Sequence, residues 1–267
     1  MPTTLQAALL GIVQGVIEFL PISSTAHLLV GERLLGYDDP GGVFAVMIQL
    51  GSILAVMWLY RAKIVAVLTG LPSNAEARRF AFMILVATLP AIVAGALFST
   101  FVKRVLYGSV TVIAVAFIAG GIVMLLVERF RPKPDVHDVD SLPVGRALAV
   151  GTWQALALVP GVSRSGGTIV AAMLMRVDRA AAAEFTFFLA MPTMAAAFVH
   201  DLLDVRHDLG SARGLEIAVG FVMAFLASAC VVKPFLNYVQ RSGFAPFAWY
   251  RIVVGLALFA AEAAGRL

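Results

Sequence analysis

From Phe80 to Val102 the chain runs 23 residues without an Asp, Glu, Lys or Arg, and residues 105–127 do the same. About 20 apolar residues suffice to cross a bilayer as helix, so each stretch predicts a spanning helix. Composition extends the point to the whole chain. Hydrophobic residues make up 61%, charged residues 13%, and the mean hydropathy is +0.93, against roughly 45–50% apolar and about 25% charged in soluble domains. Further spans are predicted at 43–60, 183–203, 214–233 and 245–264, the last two interrupted by Lys233 and Arg251. The first basic residue is Arg33, so the apolar start lacks the basic region of a signal peptide and is expected to be retained. Cys230 is the only cysteine, which excludes an intrachain disulfide and a cysteine metal cage. A net charge of +4, scattered over loops, is no nucleic-acid footprint.

Two segments are too polar and too broken to cross alone: 4–35, interrupted at Pro21-Ile22-Ser23-Ser24, and 145–177, interrupted at Pro160-Gly161-Val162-Ser163. A shift of 140 residues lays Gly11 on Gly151, Gln14 on Gln154, Ser23 on Ser163, Thr25 on Ser165 and Val30 on Val170. Three predicted spans follow each broken segment. The expected fold is therefore an all-α integral membrane protein of two inverted-topology repeats. Each repeat is a re-entrant broken helical hairpin plus three transmembrane helices, six full spans in total. The first repeat covers 1–130, a cytoplasmic linker 131–143, and the second repeat 144–267.

Basic residues set the expected orientation. Loops 61–79 (Arg61, Lys63, Arg78, Arg79), 128–146 (Arg129, Arg131, Lys133, Arg146) and 233–243 (Lys233, Arg241) fall in the cytoplasm. The acidic loops 36–42 (Asp38, Asp39) and 201–213 (Asp201, Asp204, Asp208) fall outside, and so, against the rule, do Lys103 and Arg104. Both termini are then periplasmic, and each hairpin dips in from its own side. Irregular backbone at membrane depth is tolerated only where protein or a wet cavity satisfies it, so the two breaks should line a polar site.

The breaks carry the chemistry. "PGVSRSGGTIV", 160–170, leads into a helix expected to start near Ser165 or Gly166. Its backbone N–H groups, with the hydroxyls of Ser163, Ser165 and Thr168, make an anion site. Arg164 adds a permanent charge with a planar fork of donors suited to phosphate; the bland reading is an N-cap cluster with Arg164 snorkelling to an interface. Gln14 and Glu18, four apart, share a helix face and offer oxygen ligands to Mg²⁺ or Ca²⁺. Ser24, Thr25 and His27 follow the first break, and a serine three residues before a histidine at a helix start can pair a nucleophile with a base.

Gln14-x-x-x-Glu18 running into "FLPISSTAHL", with "PGVSRSGGT" in the second half and "EFTFFLAMPTM" at 184–194, closely resembles the BacA-type undecaprenyl-diphosphate phosphatases of bacterial inner membranes. The likeness covers essentially the whole chain. It implies removal of the terminal phosphate from a C55 polyisoprenyl diphosphate, regenerating the monophosphate carrier for cell-wall synthesis, at a site open to the periplasm. Carried over by position, Glu18 with Gln14 would hold a divalent cation, Mg²⁺ or Ca²⁺. Ser24 would be the nucleophile, His27 the base or acid, and Arg164 the clamp on the diphosphate. Ser163, Ser165, Gly166, Thr168, Ser23 and Thr25 would assist binding. Attack by Ser24 and attack by a water activated by His27 both remain open. The implied partners are the lipid substrate and the bilayer, with a homodimer as an option and nucleic acid excluded.

The rival reading is a secondary transporter or flippase for an anionic or lipid-linked substrate, since inverted repeats with broken helices suit carriers; Ser24, His27 and Glu18 together exceed what anion recognition needs. The other large class of membrane lipid phosphatases expects a histidine several residues after its Ser-Arg, and "SGGTIVAAMLM" has none. Phe19, Phe44, Phe185, Phe187 and Phe188 are read as ordinary packing or lipid contact ahead of a groove for the lipid tail. Glu184 is read as complementing a helix N-terminus, and Arg251, beside Trp249 and Tyr250, as an interfacial anchor or the partner of a buried acid. His137, His200 and His207 show no metal-ligand spacing.

Overall fold

A computed structural model describes residues 2–39, 42–106, 109–205 and 213–265. His207 and Asp208, and the side chains of Lys103, Arg104 and Asp204, lie outside the described residues. Among those residues the chain is helical, with a single parallel bridge, Val136 to Val177, as its only extended pairing. The helices in order are α1 (Thr3–Ile17), α2 (Ser24–Leu35), α3 (Val43–Leu59), α4 (Arg61–Gly70), α5 (Ala75–Val105), α6 (Val110–Phe130), α7 (Val144–Gln154), α8 (Arg164–Leu174), α9 (Arg179–Val205), α10 (Gly214–Ser242) and α11 (Ala245–Ala263). Helices α5, α6, α9, α10 and α11 are long and apolar enough to cross a membrane; α3 and α4, bent by 71° at Tyr60, form a sixth when taken as one broken span. The protein is a multi-pass helical membrane protein, and the pairs α1–α2 and α7–α8 are the two broken hairpins.

The chain packs as two compact units that draw on both halves of the sequence. One comprises Met1–Phe19, Ser24–Arg78 and Ala190–Pro234; the other comprises Leu20–Ser23, Arg79–Leu189 and Phe235–Leu267. In the first unit α1 lies against α10. A methyl on Gly11 would collide with the Gly220 carbonyl, and one on Gly15 with the Ala224 carbonyl. The Ser228 hydroxyl pins the same contact by donating to the Gly15 carbonyl at 2.9 Å. Around it Ala7, Leu10, Leu28, Tyr37, Phe44, Ile48 and Ala224 form a core. The loop after α2 is lashed down: Tyr37 donates to Glu216 at 3.3 Å, Arg213 donates to the Asp38 carbonyl at 2.7 Å, and Asp39 caps α3 at the N–H groups of Phe44 and Ala45.

In the second unit α7 lies against α5, so closely that a methyl on Gly151 would collide with the Ala87 carbonyl. Helix α6 runs along α11, with Gly121 under the Ala248 carbonyl and Gly255 under the Ala114 carbonyl. Gly11 and Gly151 correspond under the 140-residue shift, and α10 holds in the second half the place α5 holds in the first. Each hairpin thus seats its first helix, by the same glycine, on the penultimate long helix of the opposite half.

Several expectations need correction. Residues 61–70 of the expected cytoplasmic loop are helix α4, and 233–242 are not a loop but the end of α10, which continues through Pro234. A span is limited by hydrophobicity and a helix is not, so polar turns such as Val239-Gln240-Arg241 extend it. Helix α8 starts at Arg164, before the expected Ser165. The 131–143 linker is packed against the protein. Val136, Val139 and Leu142 are buried, His137 meets Asp178 at 3.0 Å, and Arg146 grips Asp135 with both terminal nitrogens. Glu184 is the sixth residue of α9, past the first turn where helix-end charge acts. The five phenylalanines are all buried in the protein, Phe44 against Tyr37 at 4.8 Å and Phe188 edge-on to Phe80 at 5.2 Å.

Candidate active site

Helix α1 ends at Ile17 with Glu18 as its C-cap, because Pro21 three residues on cannot continue the ladder. Gln14 sits one turn back on the same face. Its amide Nε2 donates to Glu18 Oε2 at 2.7 Å, and the Ser24 hydroxyl, opening α2, donates to the same oxygen at 2.6 Å. Gln14 is 1% exposed and Glu18 6%. A serine has one proton to give; here it is aimed at Glu18, within the length of a charge-assisted O–H···O bond. His27 is half-buried, one turn further along α2 than Ser24.

The second break is built on Ser163, the N-cap of α8, whose Oγ accepts from the Gly166 N–H at 3.2 Å. Ser163 has φ 69° and Ser23, its counterpart 140 residues earlier, also has φ 69°. Outside glycine such backbone costs about 1–3 kcal/mol and persists only where its surroundings enforce it. The two breaks thus share the same backbone anomaly at positions 140 residues apart. Arg164 is the first residue of α8, half-buried. Ser165 and Thr168 point inward instead of offering free donors: Ser165 donates to the Leu20 carbonyl at 2.7 Å, and Thr168 lies 3.0 Å from the Arg164 carbonyl and 2.9 Å from the Thr186 hydroxyl. The Ser165–Leu20 bond joins the turns of the two hairpins within the second unit.

Arg251 departs most from its sequence reading as an anchor or ion-pair partner. It is 1% exposed, in the middle of the second unit, and its guanidinium meets main-chain carbonyls: Pro21 at 3.2 Å, Val162 at 3.0 Å, Gly161 and Ala116 at 2.9 Å, and Phe117 at 3.4 Å. The signal was present, since a charge inside an apolar span is functional by default; Trp249 and Tyr250 drew the reading to the interface. Thr186 and Ser228 had no signal at all, being lone hydroxyls in helical runs.

A divalent cation finds a partial donor set. Gln14 Oε1 is buried without a hydrogen-bond partner, an oxygen lone pair of the kind Mg²⁺ or Ca²⁺ takes, beside the Glu18 carboxylate. Among the described residues no group of three or more His, Cys, Asp or Glu could hold a metal, so substrate oxygens and water would have to complete the shell.

Two broken hairpins among long apolar helices define a multi-pass helical membrane protein. The chain belongs to the family of the bacitracin resistance protein BacA, whose model matches residues 7–257. It is 50% identical to undecaprenyl-diphosphatase 1 of Agrobacterium fabrum over 94% of both chains. It is also 48% identical to the undecaprenyl-diphosphatase of Cereibacter sphaeroides over 97% of both, and 46% identical to that of Paracoccus denitrificans over 98% of both.

Proposed function

We propose that the protein hydrolyses undecaprenyl diphosphate to undecaprenyl phosphate and inorganic phosphate, with Ser24 as the nucleophile and Glu18 as the base that takes its proton. The observation that carries this is the 2.6 Å hydroxyl–carboxylate contact. Ser24 Oγ bonds to the terminal phosphorus while the bond from that phosphorus to the bridging oxygen breaks; the hydroxyl proton passes to Glu18 and undecaprenyl phosphate leaves. Water then attacks the phosphoserine, releasing inorganic phosphate and restoring Ser24. His27 is assigned the proton transfers at the bridging oxygen and at that water. Arg164 holds the diphosphate charge, the term phosphoryl transfer asks for most. Ser163, Ser165 and Thr168 brace the turn that presents Arg164, and Ser23, Thr25 and Gly166 complete the binding surface. Glu18 and Gln14 would hold a divalent cation, which supplies charge neutralisation on phosphate oxygens.

The site is assigned to the periplasmic face of the bacterial inner membrane. Arg79, near the start of α5, donates to the Asp140 carbonyl, and the basic residues of 128–146 beside it assign that end of the second unit to the cytoplasm. A carrier for an anionic lipid would need no hydroxyl aimed at a carboxylate.

The test is phosphate release by purified protein in detergent with undecaprenyl diphosphate and Mg²⁺ or Ca²⁺. The wild type is expected to turn over, and Glu18→Ala and Arg164→Ala to lose about 10²-fold or more while remaining folded. Wild-type turnover in both variants would overturn the residue assignment. A wild type that releases nothing but moves the lipid between leaflets of liposomes would overturn the reaction.

A further inference from the structure

An arginine side chain has five N–H donors in a fixed planar fork. In Arg251 they meet five carbonyl oxygens: Nη1 those of Pro21 and Val162, Nη2 those of Gly161 and Ala116, and Nε that of Phe117. The carbonyls come from three separate parts of the chain: the turn of the first hairpin, the turn of the second, and the side of α6. Those turns have no helical ladder of their own to satisfy these groups, and a buried carbonyl without a donor costs about 1–3 kcal/mol. The whole donor set is engaged by main chain, so no carboxylate is held by it.

We propose that Arg251 is a positioning residue for the phosphatase reaction, the common pin that fixes the turn between Glu18 and Ser24 to the turn that precedes Arg164. This rests on the function proposed above. Pro21 lies three residues after Glu18 and three before Ser24, so its carbonyl fixes the backbone from which both groups spring. Val162 and Gly161 lie just before Ser163 and Arg164, and Gly161, with φ +90°, rests against the Ile113 carbonyl of α6. The site of the pin is kept open by Gly120: a methyl there would collide with Nη2 of Arg251. A fork of donors is required, because an ammonium carries three donors on a single nitrogen and cannot reach five carbonyls spread over three nitrogens of a plane.

Two variants disturb the pin from opposite sides. Arg251→Lys keeps the charge and removes the fork; Gly120→Ala keeps the arginine and displaces the fork. Both are expected to lower kcat by roughly 10- to 100-fold, since a misplacement of about 1 Å is worth that much. KM should change by less than about threefold, as the Arg164 side chain and its charge are retained and the loss falls on alignment of the reacting groups. Amide hydrogen exchange should accelerate in peptides covering 19–24 and 160–166 and stay unchanged in α9 and α10. If Arg251→Lys does not accumulate folded, Gly120→Ala carries the test alone. Wild-type kcat in a folded variant, or a fall in kcat with both turns exchanging as slowly as in the wild type, would overturn the proposal. An inactive wild type would instead strike the proposed function, and the exchange measurement would still decide whether Arg251 holds the turns.

Discussion

Ser163 and Ser23 carry the same positive φ, yet neither is glycine. At Ser163 the reason is visible: its hydroxyl caps α8, so the side chain offsets the backbone strain it causes. Ser163→Ala keeps the strain and loses the cap, and is expected to destabilise by about 1 kcal/mol. Ser163→Gly loses the cap but relieves the strain, and is expected to lie within a few tenths of a kcal/mol of the wild type. Thermal unfolding in detergent reads the difference, and equal losses would mean that strain at this residue is not enforced by its cap. Residue types at the breaks were legible because polar groups stand out in an apolar chain. What each one touches was not: Ser165 and Thr168 read as free hydroxyl donors, and only packing turns them inward.

At the scale of helices, the fold turns on close approach. Gly11 and Gly151 let α1 and α7 reach the backbones of α10 and α5, where dispersion between surfaces does the work that water does in soluble proteins. Gly151→Val should force the pair apart and destabilise by about 1–3 kcal/mol. Gly95→Val, in open space on α5, should change stability by less than about 0.5 kcal/mol. Comparable thermal shifts for the two would show that the α5–α7 approach is not tight. The long spans and their order were readable from apolar runs, because crossing a bilayer is a composition constraint; five stand as single helices and the sixth only as the bent α3–α4 pair. The bend at Tyr60 and the extension of α10 through Pro234 were not, since neither changes hydropathy.

For the molecule as a whole, the two broken hairpins are seated alike: α1 rests on α10 and α7 on α5, each through a glycine that the 140-residue shift pairs. The linker is part of this architecture. Its Asp135 is held below the usual carboxylate range, first by the hydrogen bond from Arg146, with Arg146 and Arg176 charge adding and partial desolvation opposing. A depressed carboxylate stabilises the folded state fully above its unfolded value, about pH 3.9, and loses that contribution as pH falls through the lower folded value. The wild-type melting temperature should therefore drop on acidification below about pH 4 more steeply than that of Asp135→Asn. Parallel acid profiles would show that the linker pairing does not contribute to folding.

The pairing of Ser24 with Glu18 is tested most directly by the single-turnover rate of phosphate release from undecaprenyl diphosphate by Ser24→Ala, measured beside the wild type. The expected result is a folded protein slowed by about 10²–10⁴-fold. Release at the wild-type rate would contradict it, because the hydroxyl at the first break would then take no part in the reaction.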